Sequence, residues 1–238
     1  MEHGPDGSGS QRRDRAGPVL GALILLLAVN MMNNVLAPRG YLLWTSLGVL
    51  GMFLLGRADG LQPQQWGLGR VTRRAAVAAL ALGATTCVAM LMGTRLPGVS
   101  EAFTDVRVLG MSGPQVTFNA LVRVPFGTVL FEEVAFRGVL LAMLVGRFGL
   151  VAGAALSSLA FGAWHLPPAF GVVTGNAAVQ AALGSAPLLA VTVAAAAAAG
   201  AGAFLCLLRI RYDHLIVPMA VHLVANGFGY LAAWLLVG

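Results

Sequence analysis

Two adjacent carboxylates, Glu132 and Glu133, lie inside an apolar stretch of the chain, and Arg137 follows four residues after Glu133. A charged side chain in the hydrocarbon of a membrane costs about 2.5 to 3.5 kcal/mol on insertion scales. Charged groups inside membrane-spanning segments therefore mark functional sites that face a cavity lined by protein. Residues four apart share one helix face, so Glu133 and Arg137 can form an ion pair while Glu132 points about 100° away.

Two histidines and an asparagine occur downstream, again in apolar segments. His165 follows Phe161 by four residues, and Asn226 follows His222 at the same spacing. Each segment can therefore present its polar group at one point of a helical bundle. A glutamate in a partly dry pocket can act as general base on water, a histidine can assist it, and an asparagine amide can donate to an oxyanion. These residues together predict a site for amide hydrolysis.

A divalent metal such as zinc is the alternative chemistry for the same residues. Glu132, His165 and His222 form a ligand set of the kind that holds catalytic zinc with one position open. The helical signature HExxH is absent from the sequence, so this set requires three separate helices to meet. From the residues alone, the zinc site and the metal-free site both stay open.

The composition indicates that these residues are positioned by a polytopic membrane protein. The chain has 238 residues, of which 58% are hydrophobic and only 10% are charged. A soluble domain carries about 25% charged residues, and a spanning helix needs about 20 apolar residues. The apolar runs predict an all-α transmembrane helical bundle of about seven spans, at 19–36, 41–56, 75–92, 116–144, 150–165, 187–208 and 215–237.

Five details of this arrangement are expected from the sequence. Run 116–144 is long and contains Arg123 and Pro125, so a surface helix followed by a span is an alternative. Segment 169–183 would add an eighth span. Runs 41–56 and 150–165 are short, so tilted or partly re-entrant helices are expected there. His165 lies at the end of its run and His222 near the middle of its own, so we expect these boundaries to be misplaced. The polar residues 1–18 predict a disordered tail before the transmembrane domain, 19–238.

Arginine placement predicts the orientation in the membrane. With a cytoplasmic N-terminus, the opposite loops hold only Arg39, Arg95 and Arg107. The cytoplasmic segments then hold Arg12, Arg13, Arg15, Arg57, Arg70, Arg73, Arg74, Arg147, Arg209 and Arg211. Arginine excess on the cytoplasmic side is the general rule, so we expect an integral protein of the bacterial plasma membrane with its N-terminus inside. The net charge of +6 does not indicate a nucleic-acid partner, since the arginines lie at the ends of apolar runs.

The three motifs Glu-Glu-x-x-x-Arg, Phe-x-x-x-His and His-x-x-x-Asn, in this order, resemble the CAAX protease and bacteriocin-processing family (CPBP, or Abi). The type II CaaX prenyl endopeptidase belongs to this family, and the resemblance covers a catalytic core at about 116–229. It implies an intramembrane endopeptidase, often labelled a metalloprotease. It also implies membrane lipid as surroundings and a CaaX-type or bacteriocin-type substrate with a membrane-embedded or lipidated segment.

The resemblance also implies a role for each motif residue. Glu132 would activate the hydrolytic water together with His165. His222 and Asn226 would support the oxyanion. Glu133 and Arg137 would organise the site.

Three other functions stay open from the sequence. A rhomboid-like serine protease would use Ser112 as nucleophile and His222 as base. A proton-coupled transporter would use the buried Glu, Arg and His side chains as a relay, although the chain has no convincing repeat. A catalytically inert immunity or scaffold protein would tolerate Glu132→Gln.

Overall fold

The computed structural model describes residues 16–97, 99–103, 108, 110–175, 177–184 and 186–237. Within these residues the chain is helical and contains no strand, which confirms the all-α prediction. The helices long and apolar enough to cross a membrane in this part of the chain are Ala16–Leu36, Pro38–Ala58, Arg73–Gly93, Gly113–Trp164, Pro187–Tyr212 and Ile216–Leu236.

The 52-residue run Gly113–Trp164 is divided at Gly149, whose φ of 79° and ψ of 173° interrupt the helix. A glycine adopts this conformation readily because it has no Cβ. The division yields the seven predicted apolar helices. In chain order the helices are α1 (Ala16–Met31), α2 (Tyr41–Ala58), α3 (Arg73–Gly93), α4 (113–148), α5 (150–164), α6 (Leu166–Gly175), α7 (Ala177–Leu183), α8 (Pro187–Tyr212) and α9 (Ile216–Val237).

Helix α4 is continuous but not regular. Its segments Asn119–Val129 and Glu133–Leu140 are π-helical, and the first of them contains Pro125. A π turn bonds residue i to residue i+5 and occurs mostly at functional sites. Because the helix continues through Pro125, the alternative of a surface helix separate from the span is not found. The second π segment begins at Glu133, within the predicted site.

The helices pack so that α4 lies at the centre. Helices α1 and α2 pair, and α2 packs against both π segments of α4. Helix α9 packs against α3 and against Asn119–Val129, while α5 packs along α8. The largest cluster of buried apolar side chains surrounds Phe131 and Phe136, next to the two carboxylates. Large apolar side chains on the outer faces are exposed, as lipid contact requires.

Two expectations from the sequence concern the N-terminal tail and the possible eighth span. Residues 1–15 of the predicted tail lie outside the described part, and α1 already includes 16–18. The segment predicted as an eighth span, 169–183, falls on α6 and α7, which have 10 and 7 residues. Each is shorter than the roughly 20 residues that a span requires.

The contact between α5 and α8 depends on small residues. A Cβ at Gly162 would lie 2.7 Å from the carbonyl oxygen of Ala195 and 2.8 Å from Cβ of Ala199. We expect Gly162→Ala to destabilise the protein by about 1–3 kcal/mol, because overpacking must separate the two helices. Thermal unfolding in detergent measures this. Gly200→Ala, on the same α8 with open space at its Cβ, is the control and should leave the melting temperature unchanged or higher.

Candidate active site

Glu133 is the centre of a buried network of charged side chains. Its Oε1 lies 3.1 Å from Nη1 of Arg137 and 2.7 Å from Nδ1 of His222. The side chains of Glu133 and Arg137 are fully buried, and His222 is buried as well. The Arg137 contact has ion-pair distance without hydrogen-bond alignment, while His222 forms a true hydrogen bond. The predicted i, i+4 ion pair is present, and it is joined by a histidine 89 residues away.

Glu132 is held from a different side. The indole Nε1 of Trp164 donates to Glu132 Oε1 at 3.0 Å. Its other oxygen, Oε2, is buried, lies 3.7 Å from Nε2 of His222, and accepts no hydrogen bond from the described residues. The two carboxylates therefore contact opposite nitrogens of the same imidazole. One oxygen of Glu132 is fixed and the other is available for chemistry.

Asn226 completes the contacts of His222. Its amide Nδ2 lies 3.1 Å from His222 Nε2, and the two residues are one helical turn apart on α9. Hydrogen bonding from Nδ1 to Glu133 and from the asparagine amide to Nε2 corresponds to a neutral imidazole, an assignment that follows from the network.

His165 lies one aromatic ring away from this cluster. Its Nδ1 lies 2.8 Å from the carbonyl oxygen of Phe161, and its ring centroid is 4.4 Å from the Phe161 ring. The same phenylalanine is 6.1 Å from the His222 ring and has the Arg137 guanidinium 3.8 Å above its centroid. The Phe161 ring thus contacts both histidines.

The metal alternative depends on the positions of its ligands. Among the residues that the structure describes, no three His, Cys, Asp or Glu side chains are grouped as a metal site. Of the predicted set, Glu132 Oε2 lies 3.7 Å from Nε2 of His222, while Nδ1 of His165 lies 2.8 Å from the carbonyl oxygen of Phe161. The zinc site stays a prediction beside the metal-free site.

The serine alternative is also separated from the cluster. Ser112 precedes α4, where Gln115 Oε1 accepts hydrogen bonds from its backbone N–H at 2.8 Å and from its hydroxyl at 3.1 Å. Glu133 follows Ser112 by 21 positions along one continuous helix. At 1.5 Å per residue this is roughly 30 Å. Ser112 is a helix-start residue and cannot use His222, which contacts Glu133, as its base.

Comparison with protein families matches residues 114–228 to the family described as Type II CAAX prenyl endopeptidase Rce1-like. These residues form an Rce1-like domain. The Rce1-like domain begins in α4, ends in α9, and differs from the predicted core 116–229 by two residues or fewer at each end. It contains every predicted site residue, and it identifies a CAAX-type intramembrane protease family within an integral membrane protein. Comparisons with curated proteins and with solved structures gave no significant match.

Helix α1 lies outside the Rce1-like domain but reaches its site. Asn30 is buried and donates through Nδ2 to the backbone carbonyl of Trp164 at 2.7 Å. Asn34, one turn later, donates to Asn30 Oδ1 at 2.8 Å. The sequence motifs include neither Trp164 nor Asn30. An asparagine pair at a spacing of four within an apolar run is the signal that could have identified α1 as a support.

The bond between Trp164 and Glu132 yields a prediction for the Rce1-like domain. We expect Trp164→Phe to lower kcat/KM roughly 10- to 100-fold, because a hydrogen bond to a charged group contributes about 1.5–3 kcal/mol. The measurement is kcat/KM of the purified variant reconstituted into membranes. Trp44→Phe is the matched control, since Trp44 Nε1 donates to a backbone carbonyl, Ala37 O, away from the carboxylates. Equal losses in both variants would contradict the assigned bond.

Proposed function

We propose that this chain is an intramembrane endopeptidase in which Glu132 activates water. The observation that carries the proposal is the pair of oxygens of Glu132. Oε1 is fixed by Trp164, whereas Oε2 is buried, has no donor among the described residues, and faces the imidazole of His222. A water that donates to Oε2 would lie beside both His222 and Asn226. That placement favours general-base catalysis.

In the proposed reaction, Glu132 takes a proton from water while the water oxygen attacks the carbonyl carbon of the scissile peptide bond. The oxyanion accepts a hydrogen bond from the Asn226 amide, a neutral donor in a low-dielectric site. The carbon–nitrogen bond then breaks, and the proton held by Glu132 passes to the leaving nitrogen. The products are a carboxylic acid and an amine. Glu133, which contacts Arg137, holds the His222 imidazole in position.

The proposed part for His165 is to assist the water through Nε2, because its Nδ1 lies 2.8 Å from the carbonyl oxygen of Phe161. The zinc alternative is kept as a second arm of the test. Activity of the purified protein that is lost on chelation and restored by zinc alone would favour a metal that reorganises these side chains.

The substrate that fits the site is a protein with a membrane-embedded or lipidated segment, of the CaaX type or the bacteriocin type, presented from surrounding membrane lipid. A nucleic-acid partner is not expected. From the arginine distribution we infer a bacterial plasma membrane location with the N-terminus in the cytoplasm. Attachment of a membrane-impermeant thiol reagent to single cysteines introduced on either side tests this orientation.

The experiment that tests the function compares protein termini in membranes. A strain lacking the gene is complemented with wild type or with Glu132→Gln at equal expression, and new termini are mapped by mass spectrometry. Termini that occur only with wild type identify a substrate and its cleavage position. Identical profiles under several growth conditions would contradict the enzyme and leave the immunity, scaffold and transport functions.

A further inference from the structure

A cavity of about 650 Å³ adjoins the catalytic cluster. It lies between α2, α4 and α9, at the end of the bundle where α3 ends and α4 begins. Its lining includes Asn226, whose amide contacts His222, so the cavity leads to the proposed oxyanion donor. The polar side chains that line it are Tyr41, Asn119, Arg123, Thr128, Asn226 and Tyr230.

Arg123 is the charged side chain among these lining residues. It projects from the first π segment of α4, is half-buried, and makes no ion pair with the described residues. The buried arginines elsewhere in the described bundle are different. Arg137, Arg147 and Arg209 each contact a carboxylate. A guanidinium in a low-dielectric cavity without an anion is costly, so Arg123 is suited to accept one from a ligand.

Tyr41 holds Arg123 in place without neutralising it. The Arg123 guanidinium lies 4.5 Å from the centroid of the Tyr41 ring, and the Tyr41 hydroxyl bonds Thr128 Oγ1 at 3.0 Å. Stacking on an aromatic face leaves the N–H edges of a guanidinium free. Those edges form the planar fork that matches a carboxylate.

We propose that Arg123 is a specificity-determining residue that binds a carboxylate of the substrate. The inference rests on the proposed function. Arg123 precedes Glu132 by nine residues on one continuous helix, a separation of about 13 Å at most, since 1.5 Å per residue is the α-helical rise and a π segment rises less. An extended peptide covers about 3.3 Å per residue, so the carboxylate lies within about four residues of the cleaved bond. The carboxylate is either the C-terminus of the substrate or an acidic side chain at that distance.

Binding is measured first, in a Glu132→Gln background that cannot cleave. The probes are three fluorescent prenylated CAAX peptides. The first two share one sequence and are the free acid and the C-terminal amide. The third is the amide with its last residue replaced by glutamate. We expect Arg123→Gln to weaken binding of the free acid roughly 10- to 100-fold and to leave the amide unchanged, because only the acid loses a charged hydrogen-bonded pair. Arg123→Lys should retain part of the preference. If the amide that ends in glutamate binds as tightly as the free acid, the carboxylate that Arg123 binds can come from a side chain.

The control is Arg211→Gln, because Arg211 also stacks on a tyrosine, Tyr212 at 5.6 Å, but at the other end of the bundle. It should bind all three peptides like the parent. Equal binding of acid and amide to the parent, a preference for acid that survives Arg123→Gln, or no binding of any probe would each overturn the carboxylate site. Thermal unfolding of each variant verifies folding.

Cleavage of the same peptides by the otherwise wild-type protein separates the two proposals. Arg123-dependent binding without cleavage would support the carboxylate site and contradict the proposed endopeptidase. Cleavage of acid and amide at equal rates would support the endopeptidase and overturn the role of Arg123. Faster cleavage of the acid, lost in Arg123→Gln, is the result expected if both hold.

Discussion

Glu132→Gln is expected to abolish peptide cleavage while leaving the fold intact. A neutral amide cannot take the proton from water, and general-base catalysis contributes about 10²- to 10⁴-fold to rate. The oxygen of the new amide can still accept from Trp164 Nε1, so the packing around it is retained. The measurement is single-turnover cleavage by purified protein in nanodiscs, with the melting temperature recorded for the same samples.

The matched control for this change is Asp59→Asn. It also converts a carboxylate to an amide, but its partner is Arg147, at the end of the bundle away from the cavity. Activity equal to wild type is expected there. Full cleavage activity in Glu132→Gln would remove Glu132 from the mechanism, and a large loss of melting temperature would mean that its role is structural.

Arg137→Ala is expected to destabilise the protein by about 3–5 kcal/mol, because it leaves Glu133 as an unpaired buried charge. The arginine also lies over the ring of Phe161, so packing is lost as well. Denaturation in mixed micelles, followed by fluorescence, measures the free energy of unfolding. We expect activity to fall with stability, since His222 loses part of the support that fixes its ring.

Two comparisons separate the stranded charge from the lost packing. Arg57→Ala removes an exposed arginine that lies 5.8 Å from the Trp66 ring but pairs with no carboxylate in the described structure, and it should change stability little. The double variant Glu133→Gln with Arg137→Ala should recover part of the stability lost in the single variant. If the double variant is less stable than Arg137→Ala, the unpaired carboxylate is not the cause.

Periodicity was sufficient to predict the helices, for physical reasons. An apolar run of the length of a membrane is a strong signal, and a charged side chain within it is conspicuous because it is costly. The i, i+4 spacing of Glu133 and Arg137 was enough to predict their ion pair. The link of His222 to Glu133 was not predictable, since it depends on how α9 packs against α4.

The rest of the site escaped prediction because it depends on irregular geometry. Hydropathy does not distinguish the π segments of α4 from regular α-helix, so side-chain directions were predicted with α-helical geometry throughout. Trp164 carries one donor on a large apolar ring, and only its orientation decides between packing and a bond to Glu132. The contact of His165 with the Phe161 ring could not be read from a motif.

The pairing of Glu133 with Arg137 has a consequence for biogenesis. His222, which binds Glu133, is synthesised 89 residues after that carboxylate. At a synthesis rate of about 5–20 residues per second, the interval between the two residues is roughly 4 to 18 seconds. An arginine one turn away offers the carboxylate a counter-charge within the same helix during that interval. Glu133 can therefore pair with Arg137 in the nascent chain before His222 is synthesised. We expect loss of this ion pair to reduce membrane insertion.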